Sequence, residues 1–328
     1  MNQSKPNKNI QWGIIGLGGI AHKFASDLLN IDDADLYAVG SRTQAKADEF
    51  AKTYHAKKAY SSYKALVEDP NIDAVYIATP HALHKENTLL CLNHGKPVLC
   101  EKAFGMNAEE VEVMIQTAKA KKLLLMEALW TYFLPHYQFA LQEIRNDRYG
   151  KLLKLEADFG FFRAFDDTSR LFKKSLGGGS LLDIGIYPIF AALSSLGVPK
   201  HIEAQATFFD NGADSSCKMH FKYDSGIQAF LASSLVEDLA TEAIFTFEIG
   251  SVKINRQFHT PTSVSLTFED ETQTKTFEES SFGYTHEIKH FNTLLRNGKT
   301  ESDIMTFDFS RKLIGLLDQV REIIDLEY

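Results

Sequence analysis

Gly16-Leu17-Gly18-Gly19-Ile20-Ala21 is a G-x-G-x-x-A turn directly after the apolar run Trp12 to Ile15. Gly16 suits the tight turn, Gly18 lets backbone approach a pyrophosphate, and Ala21 is small enough for a helix to pack on the strand. N–H groups at the start of that helix would meet the phosphates. Gly40-Ser41-Arg42-Thr43 stands about where a carboxylate would bind the ribose hydroxyls of NAD. Ser41 and Arg42 offer a hydroxyl and a planar cationic fork instead, which suit the 2′-phosphate of NADP. A solvated arginine on a loop is the bland alternative.

Lys102 follows the very apolar run Pro97 to Cys100. Desolvation there would lower a lysine pKa and fit the amine for moving a proton. Asp183 and Tyr187 are four apart on a predicted helix and so share a face. Ser180-x-x-Asp183 is also close to a capping box, so Asp183 reads equally as a cap or as a ligand. His286-Glu287-Ile288-Lys289-His290 matches the H-E-x-x-H zinc pattern. Its helical register puts Ile288, Phe291 and Leu295 on one stripe and His286, His290, Thr293 and Asn297 on the other. That second face reads as solvent-exposed, and no third ligand motif follows. No metal is expected.

These residues need a frame. Trp12 to Ile15, Leu36 to Val39, Ala74 to Ala78, Val98 to Cys100 and Leu123 to Met126 read as buried parallel strands. Amphipathic stretches at 20–29, 45–54, 62–68, 83–93 and 108–121 alternate with them. The pattern implies an α/β, doubly wound Rossmann sheet over residues 1–127. From about Lys151 the texture changes. Leu153 to Phe161 alternates, Gly177-Gly178-Gly179 opens a helix to Leu196, and β-rich runs continue to about Phe277. Helical patterns return at 284–296 and 307–326. Residues 128–328 therefore read as an α+β domain with an open, mostly antiparallel sheet that binds substrate and dimerises.

At 328 residues the chain is long for a single core, and ~100–200 residues per domain implies two. A net charge of -8 argues against a nucleic-acid surface. The three cysteines lack C-x-x-C spacing, which fits a reducing cytoplasm better than a disulfide scaffold. The polar opening, Met1 to Asn9, does not resemble a signal peptide, and no membrane span is expected.

Further segments carry a resemblance: Ala78-Thr79-Pro80-His81-Ala82-Leu83-His84, Cys100-Glu101-Lys102-Ala103, and Gly177 to Tyr187 with its Asp-x-Gly-x-Tyr ending. Their order and spacing resemble the Gfo/Idh/MocA oxidoreductases. Met126-Glu127-Ala128-Leu129-Trp130 looks most like the branch holding dimeric dihydrodiol dehydrogenase and NADP-dependent xylose dehydrogenase. The resemblance implies a Rossmann domain, a β-rich substrate domain and a homodimer through the open sheet. It also implies hydride transfer between nicotinamide and a sugar, polyol or diol. By that resemblance Thr79, Pro80 and His84 flank the cofactor path, and Glu101 lies near the nicotinamide ribose. Arg170 and Trp130 join Asp183 at the substrate; Phe133, Phe161 and Phe162 extend an aromatic wall or serve as core. Lys102 or Tyr187 handles the hydroxyl proton. Two positions depart from the pattern. Ala103 stands where the family usually has a proline associated with a cis bond, so the turn either goes trans or tolerates strain. His81 stands where Asn is common.

The chain therefore reads as an NAD(P)-dependent dehydrogenase or reductase, with NADP favoured. Its rivals are a dinucleotide-binding sensor without turnover, or an enzyme that keeps its cofactor for dismutation or elimination.

Overall fold

The apolar runs of the first half become a six-stranded, wholly parallel sheet in a computed structural model that describes residues 8–328. Its strands are β1 (Ile10–Ile15), β2 (Ala34–Gly40), β3 (Lys58–Tyr60), β4 (Ala74–Ile77), β5 (Val98–Glu101) and β6 (Leu125–Ala128), in the order β3-β2-β1-β4-β5-β6. Every residue of β1, β4, β5 and β6 is buried, because helices cover the sheet and leave no polar face to alternate with. The connecting helices are α1 (Gly19–Leu28), α2 (Gln44–Tyr54), α3 (Tyr63–Val67), α4 (His84–Asn93) and α5 (Ala108–Lys121). Strand order reverses between β1 and β4, the switch point outside which open α/β sheets bind their ligands. β3 is too short to show a period and is not apparent in the sequence. Most of the polar opening, residues 1–7, lies outside the described residues.

The second sheet has eight strands, ordered β14-β13-β12-β11-β7-β10-β9-β8. After α6 (Pro135–Ile144) come β7 (Leu152–Gly160), α7 (Ile186–Leu196), β8 (His201–Phe208), β9 (Asp214–Lys222) and β10 (Gln228–Ser234). Then follow β11 (Ala243–Phe247), β12 (Gly250–Ile254), β13 (Ser263–Phe268) and β14 (Glu271–Thr276). All pairs are antiparallel except β7 with β10, which run parallel. β14 is exposed along its length, so it has no apolar alternation to reveal it. α7 is apolar all round and buried from Ile186 to Leu193 against β7 and β10. The stretch Lys174–Leu196 that contains it is long and apolar enough to cross a membrane, but 94% of its apolar window is buried in the protein.

Two compact units result. The first takes the chain up to Gly105 with Glu109–Trp130 and Ser280–Phe307; the second takes Met106–Ala108, Thr131–Glu279 and Asp308–Tyr328. α8 (Tyr284–Arg296) belongs to the first unit although it lies far beyond residue 127. Trp12 is the reason: its indole N–H donates to Asn292 Oδ1 at 3.1 Å, and its ring packs on Phe24 and Phe291. On the face of α8 expected to be exposed, Thr293 and Asn297 are exposed but His286 and His290 are half-buried; His290 Nε2 lies 2.8 Å from Ser302 Oγ, in the chain that follows α8. Among the described residues, no group of three or more His, Cys, Asp or Glu side chains is arranged to hold a metal.

Candidate active site

In the first unit the candidate site is built from loops at the carboxyl ends of strands. Gly16 adopts φ +85°, and a Cβ there would lie 2.6 Å from the backbone of Ala78 and Thr79. Only glycine meets both the left-handed conformation and that approach. Leu17 and Ala21 are buried, while Gly18 and Gly19 are exposed with open space where a Cβ would stand. No side chain caps the start of α1. Its first N–H groups are therefore free of a capping partner, and Ile20 continues the turn into the helix; this cradle fits a pyrophosphate. At the end of β2, Ser41 is buried and its N–H donates to Tyr60 O at 3.0 Å. Arg42 is exposed beside Tyr63, and among the described residues it makes no ion pair.

The loops after β4 and β5 are tied together by one side chain. His84 is fully buried, with Nε2 2.8 Å from Thr79 O and Nδ1 2.7 Å from Ala103 O. Both partners are carbonyls, which only accept, so a neutral ring with its single N–H satisfies one of these two at a time. His84 thus ties the loop after β4 to the loop after β5. Thr79 is buried, its Oγ1 accepting from Asn87 Nδ2 at 3.2 Å; Pro80 starts the single helical turn His81–Leu83. Glu101 ends β5, 6% exposed, and accepts a hydrogen bond from the Tyr76 hydroxyl. Lys102 follows, half-buried, and the Lys102–Ala103 peptide is cis. Glu127, buried on β6, accepts the Phe104 N–H at 3.1 Å and fixes the far side of that turn. A carboxylate inside an otherwise apolar strand was the signal for Glu127. Trp130 stacks on Tyr284 with ring centroids 4.5 Å apart.

In the second unit the candidate side chains stand on the buried start of α7. A wide π-type turn, Leu181–Gly185, leads into the helix. Ser180 does not cap it. The Ser180 hydroxyl donates to Asp214 Oδ2 at 2.7 Å, and the same oxygen accepts the Leu181 N–H at 2.6 Å. Asp214, from the start of β9, is the cap, so the capping-box reading of Asp183 fails. Burial pushes the Asp214 carboxyl up, opposed by these two hydrogen bonds. Asp183 faces Arg170 instead, with Nη1 to Oδ1 at 3.5 Å, and is nearly buried while the guanidinium is half-exposed. Tyr187 packs between Phe159, with centroids 5.5 Å apart, and His259 at 5.1 Å. His259 stacks on Phe159 at 4.1 Å and is held by its carbonyl, which accepts the Thr131 hydroxyl at 2.7 Å. Nothing in the sequence pointed to His259, which lies on the loop between β12 and β13. Of the residues read as an aromatic wall or as core, Phe133 is buried, Phe161 packs edge-on against Phe159, and Phe162 is 64% exposed.

Known proteins match this arrangement. The oxidoreductase family with an NAD-binding Rossmann fold, Gfo/Idh/MocA, matches residues 10–129, and its C-terminal domain matches 137–253. The NADP(+) scyllo-inositol 2-dehydrogenase IolU of Bacillus subtilis is 32% identical over 97% of this chain and 98% of its own. Trans-1,2-dihydrobenzene-1,2-diol dehydrogenase of Sus scrofa is also 32% identical, over 97% and 98%. Among solved structures, the 3-ketoreductase KijD10 of Actinomadura kijaniata, in complex with NADP and TDP-benzene, superposes with a TM-score of 0.88. It shares 24% identity over 97% of this chain and 98% of that one, a likeness of fold. The chain belongs to the Gfo/Idh/MocA family of NAD(P)-dependent oxidoreductases, acting on hydroxyl-bearing carbon.

Proposed function

We propose that the protein is an NADP-preferring dehydrogenase of a sugar, polyol or trans-dihydrodiol. The observation that carries the cofactor preference is Arg42, exposed and, among the described residues, without an ion-pair partner at the end of β2, where NAD enzymes need a carboxylate. The relatives' names, an inositol dehydrogenase using NADP(+) and a dihydrobenzenediol dehydrogenase, support a vicinal diol as substrate. When bound, nicotinamide supplies the hydride chemistry. The chain's own residues do the rest. Lys102 and Tyr187 hold and move the substrate hydroxyl proton, Asp183 and Arg170 orient neighbouring hydroxyls, and Trp130 bounds the ring. The Phe159–Tyr187–His259 packing supports this reading, since it fixes the phenol in one rotamer.

The same reading makes the protein a cytoplasmic homodimer through the open sheet. Its support is a sheet face left uncovered opposite α7, on which Phe230 is exposed, and three buried cysteines that form no disulfide. A panel of inositols, aldoses and trans-dihydrodiols, followed at the reduced-nicotinamide absorbance band, tests the function. At least one vicinal diol is expected to turn over faster with NADP+ than with NAD+. Tight NADP binding without turnover across the panel would contradict it.

A further inference from the structure

α8 carries one group that the reaction as described leaves unused. Glu287 is 0% exposed, and neither of its carboxyl oxygens has a hydrogen-bond partner. Burying a polar group without partners is costly, and a charge more so, unless something compensates it. Its two charged neighbours do not: they are Glu101, from β5, and Asp27, from α1, both acids. Two phenols, Tyr76 from β4 and Tyr284 from α8 itself, belong to the same cluster, and Lys102 and His286 stand next in sequence to Glu101 and Glu287. Asp27 is occupied, accepting the Phe282 and Tyr284 N–H groups at 3.0 and 2.8 Å where α8 begins. Glu101 takes the Tyr76 hydroxyl. Burial and the neighbouring carboxylates hold the Glu287 carboxyl well above the usual carboxylate range.

The cofactor reading supplies what this cluster lacks, and the inference rests on that reading. An oxidised nicotinamide ring is cationic, a reduced one is neutral, and Glu101 with Lys102 ends the strand at which the ring is read to lie. A positive charge arriving there favours ionised carboxyl groups nearby. We propose that Glu287 is a positioning residue that acts through Glu101, a neutral acid that releases its proton to solvent when oxidised cofactor binds and regains it when the cofactor is reduced or leaves. No electrons move at Glu287; its O–H bond alone breaks and re-forms.

The test counts protons on binding. Titration calorimetry of the whole protein with NADP+ and with NADPH, in buffers of different ionisation enthalpy, gives the protons released in each case. Subtracting one from the other cancels the 2′-phosphate, which both nucleotides share. In the wild type, NADP+ is expected to release up to about one proton more than NADPH, so the ratio of NADP+ to NADPH affinity rises with pH. In Glu287→Gln the excess should fall by at least half, whereas an excess arising at Lys102 would persist unchanged and overturn the proposal. Infrared difference spectra of the wild type give a second readout that needs no variant. NADP+ should remove the carbonyl band of a protonated carboxylic acid and NADPH should not; no loss of that band overturns the proposal. Binding of both nucleotides without a proton difference refutes the role of Glu287 alone. Binding of neither refutes the cofactor reading and this inference with it.

Discussion

Asp214 in the second unit and Glu287 in the first are both wholly buried carboxyls that desolvation pushes upward, yet their surroundings differ in kind. Asp214 accepts a hydroxyl and a backbone N–H at 2.7 and 2.6 Å, and so caps the turn that carries Asp183 and Tyr187. Its other oxygen, Oδ1, has no partner, whereas Glu287 accepts nothing at either oxygen. One burial is offset locally by the structure it organises; the other has no local structural return. The contrast extends to the candidate residues of the two units. The first unit presents backbone and strand-end residues, fixed by the sheet itself. The second must hold its side chains through packing between distant segments, with β9 capping the start of α7 and the β12–β13 loop supporting Tyr187. A buried acid with partners is therefore read as architecture, and one without is read as function.

Removing Asp214 should have the larger effect on stability. Asp214→Ala leaves the Leu181 N–H and Ser180 hydroxyl without their acceptor in a dry site, a loss of about 1–3 kcal/mol. A lower melting temperature and weakened turnover are expected, with NADP affinity retained. An unchanged melting temperature would mean that the cap is dispensable and the contrast false. Arg42→Ala comes next. Losing charge-assisted hydrogen bonds worth ~1.5–3 kcal/mol should weaken NADP binding tenfold or more while NAD binding barely changes. Equal losses for both nucleotides would remove the NADP assignment. The smallest effect is on folding at Glu287. Its folded carboxyl keeps a proton that the unfolded chain releases above pH ~4.3, so wild-type stability declines as pH rises past that value. Glu287→Gln has no such decline. Its melting temperature should match the wild type near pH 4 and exceed it by a few degrees at pH 8; a lower value at pH 8 would show Glu287 to be structurally required.

How much could be read from the sequence follows the same division. Helices α5 and α8 are legible end to end, because their apolar positions repeat at helical spacing and their ends carry turn signals. The glycine turn, Ser41-Arg42 and Glu101-Lys102 are legible because each lies in a contiguous segment next to a buried strand. Asp214, His259 and Glu287 were not. Asp214 opens an antiparallel strand, His259 sits in an unremarkable loop, and Glu287 was hidden inside a zinc-like pattern that explained it away. Their meaning comes from segments tens of residues away, which no local period reports. The Ser180-x-x-Asp183 reading failed for this reason. A local capping rule was outbid by a carboxylate from another strand.

The central claim is that Lys102 of the first unit and Tyr187 of the second serve one substrate proton. A double-mutant cycle with Lys102→Met and Tyr187→Phe, read as kcat on the substrate identified by the diol panel, tests it most directly. Each single change is expected to cut kcat by about 10²-fold or more, because general acid–base catalysis contributes at least that much. The double mutant should lose far less than the product of the two, as residues acting as one unit do. NADP affinity should fall little for Tyr187→Phe. Multiplicative losses would mean independent roles, and near-normal turnover in both single variants would move the proton elsewhere and contradict the account.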